Sequence, residues 1–95
     1  MDLGDLQRTL AATYLDRDLA RGADGTFRWM VEEVGELARA LRDGDPAALR
    51  HEAGDVLAWL ISVANVAGVD LDASAARYAQ GCPRCGRRPC ACPMR

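Results

Sequence analysis

A chain of 95 residues has room for one small domain and a short appendage. Apolar residues make up 49% of it, too many for a disordered chain, and a net charge of -2 supplies no basic field to hold nucleic acid. No apolar run approaches the roughly 18–20 residues of a membrane helix, and MDLGDLQRTL lacks the charged start and apolar stretch of a secretory signal, so the expected setting is cytoplasmic and reducing.

The periodicity predicts four helices and no strand. Leu3, Leu6, Leu10 and Tyr14 mark one face of a first helix over about residues 2–20. Arg21 to Gly25 reads as a loop, after which Thr26 is a candidate cap for a second helix running to about Arg42. Phe27, Met30, Val31, Val34, Leu37, Ala38 and Leu41 form its apolar stripe. Asp43-Gly44-Asp45 turns the chain, Asp45 caps a third helix, and Pro46 opens it. That helix carries Leu49, Ala53, Val56, Leu57, Leu60, Val63 and Ala64 on one face and stops at Gly68. A fourth, short helix covers about residues 71–80, capped by Asp70 or Asp72. Long helices joined by short loops imply an all-α, four-helix bundle over residues 1–80. A chain this small gains core by pairing with a second copy, so a homodimer is expected. Residues 81–95 lose all helical period and form a separate tail rich in Cys, Pro and Arg.

Two acidic motifs stand out: Glu32-Glu33-Val34-Gly35-Glu36 and Glu52-Ala53-Gly54-Asp55. With about 100° of rotation per residue, Glu33 borders the stripe centred near Val34, and Glu36 lies about 60° beyond it. Glu52 and Asp55 repeat that arrangement beside the stripe centred near Leu60. If the two helices pack antiparallel, the pairs face each other across a groove. Close like charges are unfavourable, so the acids either splay into water or bind divalent cations between them. Hard oxygen ligands suit Mg²⁺ or Mn²⁺, which could polarise a phosphoryl oxygen and activate water. Glu32 points further toward solvent. Trp29 and Trp59 lie along the acidic flanks, where an indole either stacks on a nucleobase or packs at a bundle edge or dimer contact. His51 and Asn65 read as surface residues.

EExxE followed by ExxD on successive helices resembles the all-α nucleoside triphosphate pyrophosphohydrolases of the MazG-like superfamily. EEVGELARAL, HEAGDVLAWL and GVDLD carry the likeness, which covers about residues 5–80. It implies a Mg²⁺-dependent enzyme, a dimer or tetramer, that cleaves a nucleotide to a monophosphate and pyrophosphate. Glu33, Glu36, Glu52 and Asp55 would be the metal ligands, and Glu32 would orient or activate water. Many relatives hold phosphate with a Lys; this chain has none, and Arg28, Arg77 and the tail arginines are the candidates to replace it. The resemblance leaves base and sugar preference open.

The likeness does not reach the tail, where Cys82, Cys85, Cys90 and Cys92 have CxxCx₄CxC spacing. Four thiolates so close could surround one Zn²⁺; two disulfides, an iron–sulfur centre or a disordered reduced tail are the alternatives. The expected function is therefore a nucleotide pyrophosphohydrolase. The alternative is a non-catalytic helical dimer whose zinc tail serves as an interaction module. Neither a membrane nor nucleic acid is an expected partner.

Overall fold

The computed structural model describes residues 1–95, which form three helices and no strand. α1 begins after Asp2, whose carboxylate accepts the Asp5 N–H at 2.7 Å, and runs Leu3–Asp43 as one element. Its only break is Gly22, at φ 85° and ψ 166°, a conformation open essentially to glycine alone. The first two expected helices are thus two arms of α1, residues 3–21 and 23–43. Where a loop is expected after Arg21, the chain is helical again from Ala23, and Thr26 lies inside the second arm instead of capping it.

Side chains spanning the break explain this. The Thr26 hydroxyl donates to the Gly22 carbonyl at 2.7 Å, one helical turn back. The Arg21 guanidinium donates to Asp18 Oδ1 at 2.9 Å and to Thr26 Oγ1 at 3.3 Å. With hydrogen bonding bridged in this way, one glycine is enough to redirect the helix.

Gly44 ends α1 in the left-handed region at φ 73°, its N–H donating to the Ala40 carbonyl. Asp45 caps α2 (Pro46–Ala67) by accepting the Ala47 N–H at 3.0 Å, and Gly68 closes it at φ 73°. Asp70 caps α3 (Leu71–Ala75), which tightens into a 3₁₀ turn at Ala76–Tyr78. The fourth expected helix is therefore five residues and a turn, and with α1 broken at Gly22 the helical segments are residues 3–21, 23–43, 46–67 and 71–75.

Both arms of α1 bear on α2. In the first arm, Gln7 donates to Asn65 Oδ1 and to the Val69 carbonyl, and it accepts the Leu71 N–H. Asn65 returns a bond to the Gln7 carbonyl at 3.3 Å, so it locks two helices together instead of lying idle on the surface. In the second arm, Trp29 stacks with Trp59 of α2. No single helix is long and apolar enough to cross a membrane.

The contact between α1 and α2 does not use the apolar stripes as the periodicity suggests. On α1 the covered residues are Thr26, Met30, Glu33, Leu37 and Ala40, a row at three- and four-residue spacing. The row one step round, Phe27, Val31, Val34, Ala38 and Leu41, is exposed, with Val31 at 51% and Leu41 at 67%. On α2, Glu52, Asp55, Trp59 and Ser62 are covered along with Leu49, Val56, Val63 and Ala64 of the expected stripe, while Ala53, Leu57 and Leu60 are exposed. Only seven residues of the chain are buried, and just three of those are hydrophobic: Ala40, Ile61 and Ala64. The single chain thus leaves much of its apolar surface in water.

Candidate functional site

The covered rows bring the acids together. Glu33 from α1 and Glu52 and Asp55 from α2 are all half-buried, and Glu36 lies one turn beyond Glu33. Burial pushes the Glu33 carboxyl above its ordinary pKa of 4.5, and the charges of Asp55, Glu52 and Glu36 push it further the same way. Its hydrogen bond to the Glu52 carboxyl also favours the protonated form. The other three acids, Glu36, Glu52 and Asp55, therefore all act on the Glu33 carboxyl. Glu32, by contrast, is exposed.

Basic side chains sit only at the two ends of the group. His51 Nε2 lies 3.3 Å from Asp55 Oδ2, one turn along α2. His51 is exposed, as its position predicts, but it is tied to the acidic cluster. Arg39 lies 3.8 Å from Glu36 on α1. No basic side chain pairs with Glu33 or Glu52, so the centre of the cluster is held by geometry alone.

Beside the acids opens a cavity of about 290 Å³, and Asp55 is part of its wall. Tyr14, Arg17, Asp18 and Arg21 line it from the first arm of α1, Trp59 and Ser62 from α2. Trp59 does border the site, but its ring is already engaged. Trp29 stacks with it at 6.1 Å between centroids, and the Arg21 guanidinium lies over it at 4.9 Å. Trp29 remains half-exposed.

The basic groups beside the site are not the expected ones. Arg28 pairs with Asp24 on the outside of α1, and Arg77 lies over the Tyr78 ring. Arg17 and Arg21 line the cavity instead. The sequence did carry a signal for them. Leu3, Leu6, Leu10 and Tyr14 set a helical face that continues through Arg17, Asp18 and Arg21, so charged residues occupy a face that is apolar one turn earlier.

A second cluster lies in the tail. The sulfurs of Cys82, Cys85, Cys90 and Cys92 all fall within 4.8 Å of one another, and all four thiols are free. Cys82 and Cys92 are 3.8 Å apart, Cys85 and Cys90 3.9 Å. A tight knuckle gathers them: the Gly86 N–H donates to the Cys82 carbonyl at 2.7 Å, with Gly86 at φ 75°. Backbone N–H groups aim at the sulfurs, Cys85 N–H at Cys82, Ala91 N–H at Cys85 and Cys92 N–H at Cys90. Donation from Ala91 and then Arg87 lowers the Cys85 thiol to about 6, whereas its sulfur neighbour Cys90 and burial push Cys92 up to about 11.

Comparison with known proteins places this geometry in context. The profile of a family described as the MazG nucleotide pyrophosphohydrolase domain matches residues 21–84, a span that contains all four clustered acids. The phosphoribosyl-ATP pyrophosphatase of Methylobacterium radiotolerans is 38% identical over 63 residues, covering 66% of this chain and 59% of that protein. The chain thus spans less than two thirds of that relative's length.

The crowding of Glu33 has a measurable consequence for stability. In the unfolded chain the carboxyl ionises near 4.5, in the folded chain at a higher pH. Between those values the folded state binds the extra proton, so stability falls as pH rises through the window and stays lowered above it. In EDTA, Glu33→Gln is expected to flatten that part of the pH profile and to melt higher than wild type at pH 7. Thermal denaturation from pH 4 to 7 checks this; a variant no more stable than wild type at pH 7 shows that the carboxylates do not burden the fold.

Proposed function

We propose that this chain, which belongs to the MazG nucleotide pyrophosphohydrolase domain family, is a Mg²⁺-dependent nucleoside triphosphate pyrophosphohydrolase that releases a monophosphate and pyrophosphate. One observation carries the reading: Glu36, Glu52 and Asp55 converge on a half-buried Glu33 with no cation at the centre. The donor set is all oxygen, negatively charged and open toward a cavity, which fits Mg²⁺ or Mn²⁺. Glu33, Glu36, Glu52 and Asp55 would hold the metal. When bound, it supplies neutralisation of the phosphate charge and Lewis-acid activation of water.

The remaining steps fall to the protein. His51 and Arg39 restrain the outer two carboxylates, Asp55 and Glu36, and so fix the spacing of the set. Arg17 and Arg21 offer guanidinium groups to phosphate oxygens from the cavity side, the task that Lys performs in many relatives. Glu32, which is exposed, would orient the attacking water. Phosphoribosyl-ATP, the compound in the relative's name, belongs in the substrate panel beside the nucleoside triphosphates.

The exposed row of Phe27, Val31, Val34 and Leu41, with Leu57 and Leu60 of α2, is read as a homodimer contact. Contiguous apolar surface of this kind is rare on a monomer, and only three hydrophobic residues are buried without a partner. In the tail, the sulfur separations of 3.8 and 3.9 Å match the edge of about 3.8 Å in a tetrahedron with Zn–S near 2.3 Å. We read Cys82, Cys85, Cys90 and Cys92 as a structural zinc site, in a protein that works in the reducing cytoplasm.

Three measurements test these readings. Glu36→Gln and Asp55→Asn are each expected to cut pyrophosphate release by about a hundredfold or more; no turnover of any nucleotide by wild type, with no Mg²⁺ binding, points to the interaction module instead. Val31→Glu is expected to shift the species in sedimentation equilibrium from dimer to monomer; a wild type that is already monomeric at tens of micromolar, on the order of cellular abundance, rejects the dimer. Metal analysis is expected to find one zinc per chain, lost in Cys85→Ser with faster proteolysis beyond residue 80; a metal-free wild-type tail rules the site out.

A further inference from the structure

Asp18 is the least comfortable residue in the molecule. It is 2% exposed, and only one of its two carboxylate oxygens is satisfied. Oδ1 accepts from Arg21 at 2.9 Å; no protein group donates to Oδ2, the one buried side-chain polar atom left without a partner. A buried carboxylate oxygen normally accepts a hydrogen bond, because water's donors have been taken from it and nothing else replaces them. Asp18 also lines the 290 Å³ cavity, whose wall it shares with Asp55 of the acidic cluster.

The surrounding side chains suit a nucleoside. Tyr14 and Trp59 supply aromatic walls, Ser62 a hydroxyl, and Arg17 and Arg21 positive charge toward the acidic end. Arg17 takes part in no ion pair within the chain and is free to meet an anion. A nucleotide whose phosphates lie at the acids has its nucleoside within reach of this cavity, since Asp55 belongs to both. Tyr14, Arg17 and Asp18 precede the segment that the family profile matches.

We propose that this cavity is the nucleoside-binding site and that Asp18 selects the substrate by accepting, at Oδ2, a hydrogen bond from an N–H or O–H donor on the nucleoside. The donor is an amino or imino group of the base, or a hydroxyl of the sugar. The inference rests on the pyrophosphohydrolase reading and adds to it the side of the site that discriminates. A site built around an obligatory donor rejects the analogue that lacks it, because the buried acceptor is then left without a partner.

The test uses the full chain and paired substrates. Ribonucleotide and deoxyribonucleotide pairs interrogate the sugar; GTP against ITP, and ATP against purine riboside triphosphate, interrogate the base. Wild type is expected to favour the donor-bearing member of one pair by about a hundredfold or more in kcat/KM. Asp18→Asn retains an oxygen for Arg21 but presents an amide N–H where Oδ2 was. It is expected to erase that preference by raising KM for the donor-bearing member while kcat changes little. Its melting temperature without nucleotide is expected to fall, since Arg21 keeps a hydrogen bond but loses the charge of its partner. Equal loss on both members of every pair, or unchanged discrimination, overturns the assignment and makes Asp18 a brace for the Gly22 break. Calorimetric titration of nucleoside monophosphates separates the two levels. Binding that Asp18→Asn weakens, without turnover of any triphosphate, rejects the pyrophosphohydrolase reading and keeps the site. A wild type that neither binds nor hydrolyses rejects both.

Discussion

Repulsion among carboxylates governs the middle of this protein. Like charges repel more strongly in a medium less polar than water, and here Glu36, Glu52 and Asp55 all act on Glu33 between α1 and α2. The fold relieves the outer two with His51 and Arg39 and leaves the inner pair, Glu33 and Glu52, to share a hydrogen bond. A sequence shaped for stability alone would put leucine at those positions. Under the proposed function, the strain is what makes a divalent cation welcome, and it ties metal occupancy to the integrity of the helix pair.

The position of the acids follows from which helical row α1 turns inward. The row through Thr26, Met30, Glu33, Leu37 and Ala40 is one residue out of step with the more apolar row through Phe27, Val31, Val34, Ala38 and Leu41. Choosing the first row encloses the carboxylates and leaves the second in water. A monomer has no reason to prefer that choice, since it forgoes the larger burial of apolar area. Under the proposed homodimer the second row would find cover against another copy, and each α1/α2 groove would stay free for a ligand. The sparse core and the enclosed charge are thus two results of one rotation of the helix.

The break at Gly22 has a comparable role at the cavity. It lets one helix present two faces to α2, so that Tyr14, Arg17, Asp18 and Arg21 stand beside Asp55 and Trp59. The bracket of Asp18, Arg21 and Thr26 steadies the turn and at the same time sets a guanidinium over the Trp59 ring. The tail is independent of both. Backbone N–H groups directed at three of its four sulfurs order it.

Features that depend on neighbours in the chain were legible in the residues alone. The helix ends at Asp45, Gly44, Gly68 and Asp70, the pairing of Glu33 with Glu36 and of Glu52 with Asp55, and the cysteine spacing all follow from local rules of capping, turn conformation and helical repeat. The likeness to MazG-like enzymes was carried by the same short-range motifs. What only the tertiary structure decided depends on long-range contact. Periodicity marked two adjacent rows on α1 but could not say which faces α2, because the choice rests on the packing partner. Helical fusion across residues 21–25 depended on side chains of Asp18, Arg21 and Thr26 meeting over Gly22. The unsatisfied oxygen of Asp18 exists only once the fold has buried it. Local propensity writes the elements and their ends; burial, which is a property of pairs of elements, determines which charges are close and which are left without a partner.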